Sequence, residues 1–171
     1  MLITFTKKEA EEIAALGRKR HYAKDASFRN NTQWHEGSAR SMAHEIGILG
    51  EAAYGKCAGL EIDRNIYEVR DDGMDFKDIE VKTVTYFGAG EPELKIPAEE
   101  WTGKHKDVKK FVLARLNPKD YTRVEVLGEI SREQFDRIKT KKIYRPDGPL
   151  NYIAKASQLS PVQKQDDDFG F

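Results

Sequence analysis

The chain has 171 residues, 29 Lys and Arg balance 29 Asp and Glu to a formal net charge of zero, and there is one Cys. That length suits a single domain, since chains divide into separate cores only beyond roughly 250 residues. One Cys excludes a disulfide scaffold, a cysteine-based zinc site and a cysteine-ligated iron–sulfur cluster. No apolar stretch approaches the ~20 residues that span a bilayer, and the opening MLITFTKKEAEE lacks the apolar run of a signal peptide. A cytoplasmic chain without membrane association is expected.

In chain order, Thr6-Lys-Lys-Glu9 is a capping-box pattern that opens a helix with apolar Ala10, Ile13, Ala14 and Leu16 at helical spacing. The helix should give way to a polar loop around Asn30-Asn31-Thr32. A second helix, capped by Ser38 or Ser41, aligns Met42, Ile46, Leu49, Ala53 and Cys57 in one stripe and ends at Gly59. Gly47 and Gly50 inside it each cost about 1 kcal/mol relative to Ala, which calls for a packing reason such as a close sheet or ligand. The period then changes to two. Residues 65–70 read as a strand, Asp71-Asp72-Gly73 as a turn, Met74-Asp75-Phe76 as a short extended arm, Lys77-Asp78 as a tight turn, and 79–85 as the best strand in the chain. Residues 87–97 read as loop, with a short helix starting near Pro97-Ala-Glu-Glu-Trp101. Strands follow at 111–116, 123–130 and 151–155, and Ser131-Arg-Glu-Gln134 is a second capping box that opens a short helix through Ile138. The order predicts an α/β (α+β) fold, a small mixed central sheet flanked by helices. Residues 1–160 form one domain, with a helical extension over about 1–37, and 161–171 form an acidic flexible tail.

Zero net charge hides an uneven distribution. Residues 18–29 hold five Lys and Arg against one Asp, 104–110 hold four Lys against one Asp, and 137–145 hold five Lys and Arg without an acid. Acids gather at 71–80 and at 166–168. Basic stretches around an acidic centre suit a protein that cuts nucleic acid with a metal, and also arise on an ordinary charged surface.

The sharpest constellation is Asp75-x4-Glu80-x-Lys82. Residues i and i+2 of a strand share a face, so Glu80 and Lys82 project together, opposite Ile79 and Val81. The turn at Lys77-Asp78 carries Asp75 back towards Glu80. Two carboxylates beside a Lys make an oxygen-ligand site for a hard divalent cation, which lowers the pKa of bound water and polarises a phosphoryl oxygen. The Lys can orient that water or stabilise developing charge. Of four acid-x-Lys triplets, only Glu80-Val-Lys82 lies in an alternating strand with an acid before it; Glu93-Leu-Lys95 looks like loop. The alternative is a solvated strand face with a neighbour ion pair.

The run GILGEAAYG (47–55) followed by DDGMDFKDIEVKT (71–83) resembles the PD-(D/E)XK nuclease superfamily, whose fold is restriction-endonuclease-like. The order is similar over roughly residues 38–160: Glu51 on a Gly-rich helix, Asp75 in a hairpin, Glu80 and Lys82 on the next strand. Met74 stands where the family often has Pro. The resemblance implies a small stand-alone, phage-type enzyme that hydrolyses phosphodiester bonds in DNA and leaves a 5′-phosphate. It implies metal ligation by Asp75 and Glu80, helped by the Val81 carbonyl, with Glu51 completing the site directly or through a water, or holding a second ion. Lys82 would position the water, with Mg²⁺ as the ion and Mn²⁺ accepted. A junction resolvase of the same fold, often a homodimer, and a non-catalytic nucleic-acid-binding module are the alternatives.

Candidate nucleic-acid contacts are Lys104 and Lys106 beside His105, Arg18 and Arg20, Thr83, and His44; a solvated loop or ordinary packing is the competing reading for each. The end, Asp166-Asp167-Asp168-Phe169-Gly170-Phe171, is similar to the acidic tip of bacterial single-stranded-DNA-binding proteins. It could recruit a replication or repair protein, occupy the chain's own basic groove, or only solubilise.

Overall fold

The computed structural model describes residues 1–27, 39–62, 64, 75–85 and 88–163. Strand β1 (Leu2–Thr4) leads into helix α1 (Lys7–Ser27). The first capping box forms as the sequence predicts: Thr6 N–H donates to Glu9 Oε2 at 2.6 Å, and Glu9 N–H to Thr6 Oγ1 at 3.1 Å. Helix α2 (Ala39–Ala58) already contains Ser41, so Ser41 is not its cap, and Ser38 lies outside the described residues. Leu49, Ala53 and Cys57 of the predicted stripe are buried, while Met42 at its start is exposed. The helix stops where Gly59 takes φ +76°, a conformation that side chains resist, and Leu60 N–H closes the end on the Gly55 carbonyl at 2.9 Å.

The main sheet runs β1, β5 (Asp120–Ser131), β4 (Lys110–Asn117), β2 (Ile79–Val84), with β2 parallel to β4 and the other pairs antiparallel. A parallel pair needs a crossover. Here it contains strand β3 (Glu93–Pro97) and helix α3 (Ala98–Thr102). Helix α4 (Arg132–Ile138) follows β5 and starts on the predicted Ser131–Gln134 box. Strands β6 (Thr140–Lys142) and β7 (Asn151–Lys155) then complete a second sheet in the order β3, β7, β6. The fold is mixed α/β.

Alternate residues of β4 face two different layers. Val112, Ala114 and Leu116 pack with Leu49, Ala53 and Tyr54 of α2, whereas Phe111 and Leu113 pack with Leu94, Ile96, Trp101, Phe135 and Ala154 of the second layer. A strand covered on both faces needs a continuous apolar run, which is why Phe111 to Ala114 lacks alternation.

The same two-sided cover corrects the loop reading of residues 87–97 and bears on the alternative reading of Glu80. Residues 87–97 are not all loop: β3 occupies Glu93–Pro97, with Leu94 and Ile96 fully buried and paired against β7. Alternating Leu94 and Ile96 against Glu93 and Lys95 carried that signal, and the flanking Gly and Pro masked it. Glu80 is not on a solvated face, because the second layer covers its side of β2 and leaves the residue 4% exposed. At the N-terminus, Leu2 to Thr4 pair with β5, and Ala10 and Ala14 of α1 are buried. Short β1 and β6, three residues each, carry too little pattern to be read from sequence. The predicted strand at 65–70 and turn at 71–73 lie outside the described residues.

Candidate metal and nucleic-acid site

The tight turn at Lys77-Asp78 forms as expected. Phe76 and Ile79 exchange backbone hydrogen bonds at 3.1 and 3.2 Å, and Asp75 N–H also donates to the Ile79 carbonyl at 3.1 Å. Asp75 Oδ2 accepts from Val81 N–H at 2.7 Å, which fixes the aspartate alongside β2, the end strand of the main sheet as described. From the helical layer, α2 lies close enough to β2 that a Cβ on Gly50 would sit 1.9 Å from Thr83 Oγ1. That is the packing reason Gly50 required; Gly47 has no such neighbour among the described residues. The contact delivers the next residue, Glu51, towards the same place, close enough for its charge to act on Asp75. Helix α1 supplies a counter-charge, Arg20, whose Nη1 donates to Glu51 Oε2 at 3.3 Å.

Glu51, Asp75 and Glu80 therefore form one electrostatic group, and all three hold their protons above the ordinary carboxylate range. For Glu51 the cause is burial, opposed by Arg20 and reinforced by Glu80. For Asp75 it is burial and then the charge on Glu51. Burial and then Asp75 push Glu80 up to about 7, against Lys82. Confined carboxylates behave in this way when their negative charge is only partly compensated.

Lys82 Nζ donates to Glu80 Oε1 at 2.7 Å. It also stands 3.2 Å from His105 Nε2 and 3.7 Å from Glu100 Oε2. His105 is 0% exposed, although the turn residues on either side of it are exposed. Glu100 and His105 had no role in the sequence reading. Glu100 sits in a helix of five residues and His105 between two lysines, so neither shows a period, and only the folded crossover brings them to Lys82.

The predicted nucleic-acid contacts separate. Lys104 and Lys106 are exposed, and the charge of Lys104 reaches Asp75 and Glu80. Arg18 is engaged by Glu11 and, at 3.3 Å, by Glu45, so with Arg20 it ties α1 down. His44 is partly buried with its ring 5.1 Å from that of His21. The Thr83 hydroxyl is buried against Gly50, without a hydrogen-bond partner among the described residues. Its side chain packs against α2 at Gly50. Tail residues Asp166, Asp167, Asp168, Phe169 and Phe171 lie outside the described residues.

Among the described residues no group of three or more His, Cys, Asp and Glu side chains is drawn together as a ready-made metal cage. Asp75, Glu80 and Glu51 each have one oxygen on a protein donor: Val81 N–H, Lys82 and Arg20 respectively. The donor set nevertheless fits a hard divalent cation. It is all carboxylate, it is short of positive charge, and Glu80 Oε2 is buried with no hydrogen-bond partner among the described residues. Comparison with protein-family models, with curated proteins and with solved structures finds no match for the chain.

Proposed function

We propose that the protein is a metal-dependent nuclease that hydrolyses phosphodiester bonds in DNA, with a restriction-endonuclease-like core. The observation that supports this best is the electrostatic coupling of Glu51 on α2 with Asp75 and Glu80 of the β2 hairpin, beside Lys82 and within electrostatic reach of Lys104. A structural salt bridge needs one acid and one base. Three acids with raised pKa values at one edge cost stability unless a cation joins them. Asp75, Glu80 and Glu51, with the Val81 carbonyl, would hold Mg²⁺ or Mn²⁺. Such an ion supplies an acidified water and neutralises a phosphoryl oxygen. Lys82, 26% exposed at its side chain, has donors left to orient a water for in-line attack. Lys104 and Lys106 would meet the phosphate backbone, an interaction that weakens steeply with salt.

The test is cleavage of end-labelled single-stranded, duplex, flap and four-way-junction DNA in Mg²⁺, Mn²⁺ or EDTA, with Lys82→Ala alongside. Metal-dependent cutting that disappears in Lys82→Ala is the expected result, and the preferred substrate names the activity. Cutting that persists in EDTA or in Lys82→Ala rejects the assignment. Tight binding without cutting would make the chain a nucleic-acid-binding module. Replacing Lys104 and Lys106 together by Ala should weaken DNA binding in Ca²⁺ and reduce the slope of log affinity against log salt by about 2.

A further inference from the structure

We propose that Glu100 and His105 are positioning residues that hold the Lys82 ammonium in its working place, Glu100 directly and His105 by anchoring Glu100. The proposal rests on the nuclease reading for its consequence in catalysis, but its geometry stands apart from it. Glu100 Oε2 lies 2.8 Å from His105 Nε2, and Lys82 Nζ lies between Glu80 Oε1 at 2.7 Å and Glu100 Oε2 at 3.7 Å.

The hydrogen-bonding roles follow from counting donors. The His105 ring is neutral near pH 7, because burial and then the Lys82 charge hold its pKa well below the usual value. A neutral imidazole carries one N–H. On Nε2 that proton donates to Glu100 at 2.8 Å and leaves only a lone pair at Nδ1, which is buried with no partner among the described residues. On Nδ1 it would bury an N–H without an acceptor, the costlier error, and would set the Nε2 lone pair against the Glu100 oxygen. With Nε2 protonated, the ring offers Lys82 nothing to bond to, although the two nitrogens are 3.2 Å apart. Lys82 is therefore held by charge between two carboxylates.

One of them, Glu80, is also a candidate metal ligand. If Glu80 were the sole anchor, the lysine would follow every adjustment of that ligand. Glu100 gives the ammonium a second anchor from a different element, α3. His105 cannot swing away, because it is fully buried, its ring packs edge-on to Phe111, and its carbonyl accepts from Arg132 Nη1 at 2.6 Å.

The test uses the full chain. Glu100→Gln keeps an acceptor for His105 and removes the charge, at a side chain one-third exposed, where folding is not at stake. Expected is a 10–100-fold fall in kcat, the usual size for an outer partner of a catalytic group. KM, DNA affinity in Ca²⁺ and Tm should stay near wild type. The exposed neighbour Glu99→Gln should behave as wild type. His105→Gln, which can still donate to Glu100, should retain more activity than His105→Ala at matched folded fraction. A second readout is the Lys82 ammonium resonance in ¹⁵N-labelled protein, protected from exchange in wild type and in Glu99→Gln and lost in Glu100→Gln. If wild type cuts, Lys82→Ala does not, and Glu100→Gln equals wild type, this proposal fails and the nuclease reading stands. If nothing cuts but the resonance follows the stated pattern, the brace is real and the nuclease reading fails. No protected ammonium in wild type rejects the brace outright.

Discussion

Glu80→Gln is expected to abolish metal-dependent cleavage and, in the same protein, to raise the thermal stability of the metal-free form at pH 8. The first effect follows from removing a ligand charge. The second follows from linkage. Glu80 is raised in the folded protein from an ordinary 4.5 to about 7, by burial and then by Asp75. A group raised in this way leaves stability intact below its unfolded pKa, and stability is lost as pH climbs through the folded value. For Glu80 the difference amounts to roughly 3 kcal/mol, spent between about pH 4.5 and 7. Asp75 and Glu51 are raised too, so the loss should continue past neutrality. Gln carries no charge, still offers Lys82 an acceptor, and should flatten the profile. At 2–4 °C per kcal/mol for a chain of this size, the variant should melt about 6–12 °C above wild type at pH 8 and close to it at pH 5. Mg²⁺ should close the gap by stabilising wild type alone, since only a state that binds the ion gains from it. Melting curves at pH 5, 6, 7 and 8, with Mg²⁺ and with EDTA, read all of this. A wild-type Tm that rises from pH 5 to 8 in EDTA would contradict the electrostatic account of the site.

What could be read in the sequence was whatever one element specifies by itself. Both capping boxes, the Gly59 stop, the Lys77-Asp78 turn and the buried run at 111–116 depend on residues a few positions apart, and they stand in the structure. Strand β3 was hidden because its pattern is five residues long and lies beside Gly and Pro. The burial of Glu80 was hidden because it depends on a layer made of α3, β3 and β7, distant in sequence. The candidate site divides the same way. Glu80 and Lys82 share a face by strand geometry alone, and the turn returns Asp75. Glu51 needed the Gly50 contact, and Glu100 and His105 needed the whole crossover. Arg18 and Arg20 show the reverse: in sequence they are a basic run open to phosphate, and in the fold their partners are Glu11, Glu45 and Glu51.

The Gly50 contact yields the second large effect. A Cβ there would meet Thr83 Oγ1 at 1.9 Å, Cβ at 3.1 Å and Cγ2 at 3.3 Å, so turning the threonine side chain exchanges one clash for another. Gly50→Ala must push α2 away from β2 and carry Glu51 from Asp75 and Glu80. Overpacking of this kind costs about 1–3 kcal/mol, offset by up to ~1 kcal/mol from the better helix former. The net loss of stability should be small. The loss of activity should not, since a misplacement of ~1 Å at a catalytic centre can cost about 10²-fold. Thr83→Ala alone should be nearly neutral in stability, because the hydroxyl it removes is buried with no hydrogen bond among the described residues. Combined with Gly50→Ala it should relieve the Oγ1 and Cγ2 clashes, leaving the Cβ contact at 3.1 Å, and restore most of the cleavage rate, a non-additivity that neither variant shows by itself. DNA affinity should hardly change in any of the three, which separates a threonine that packs layers from one that touches phosphate. A Gly50→Ala protein that cuts like wild type would mean that the spacing of α2 and β2 does not set the site.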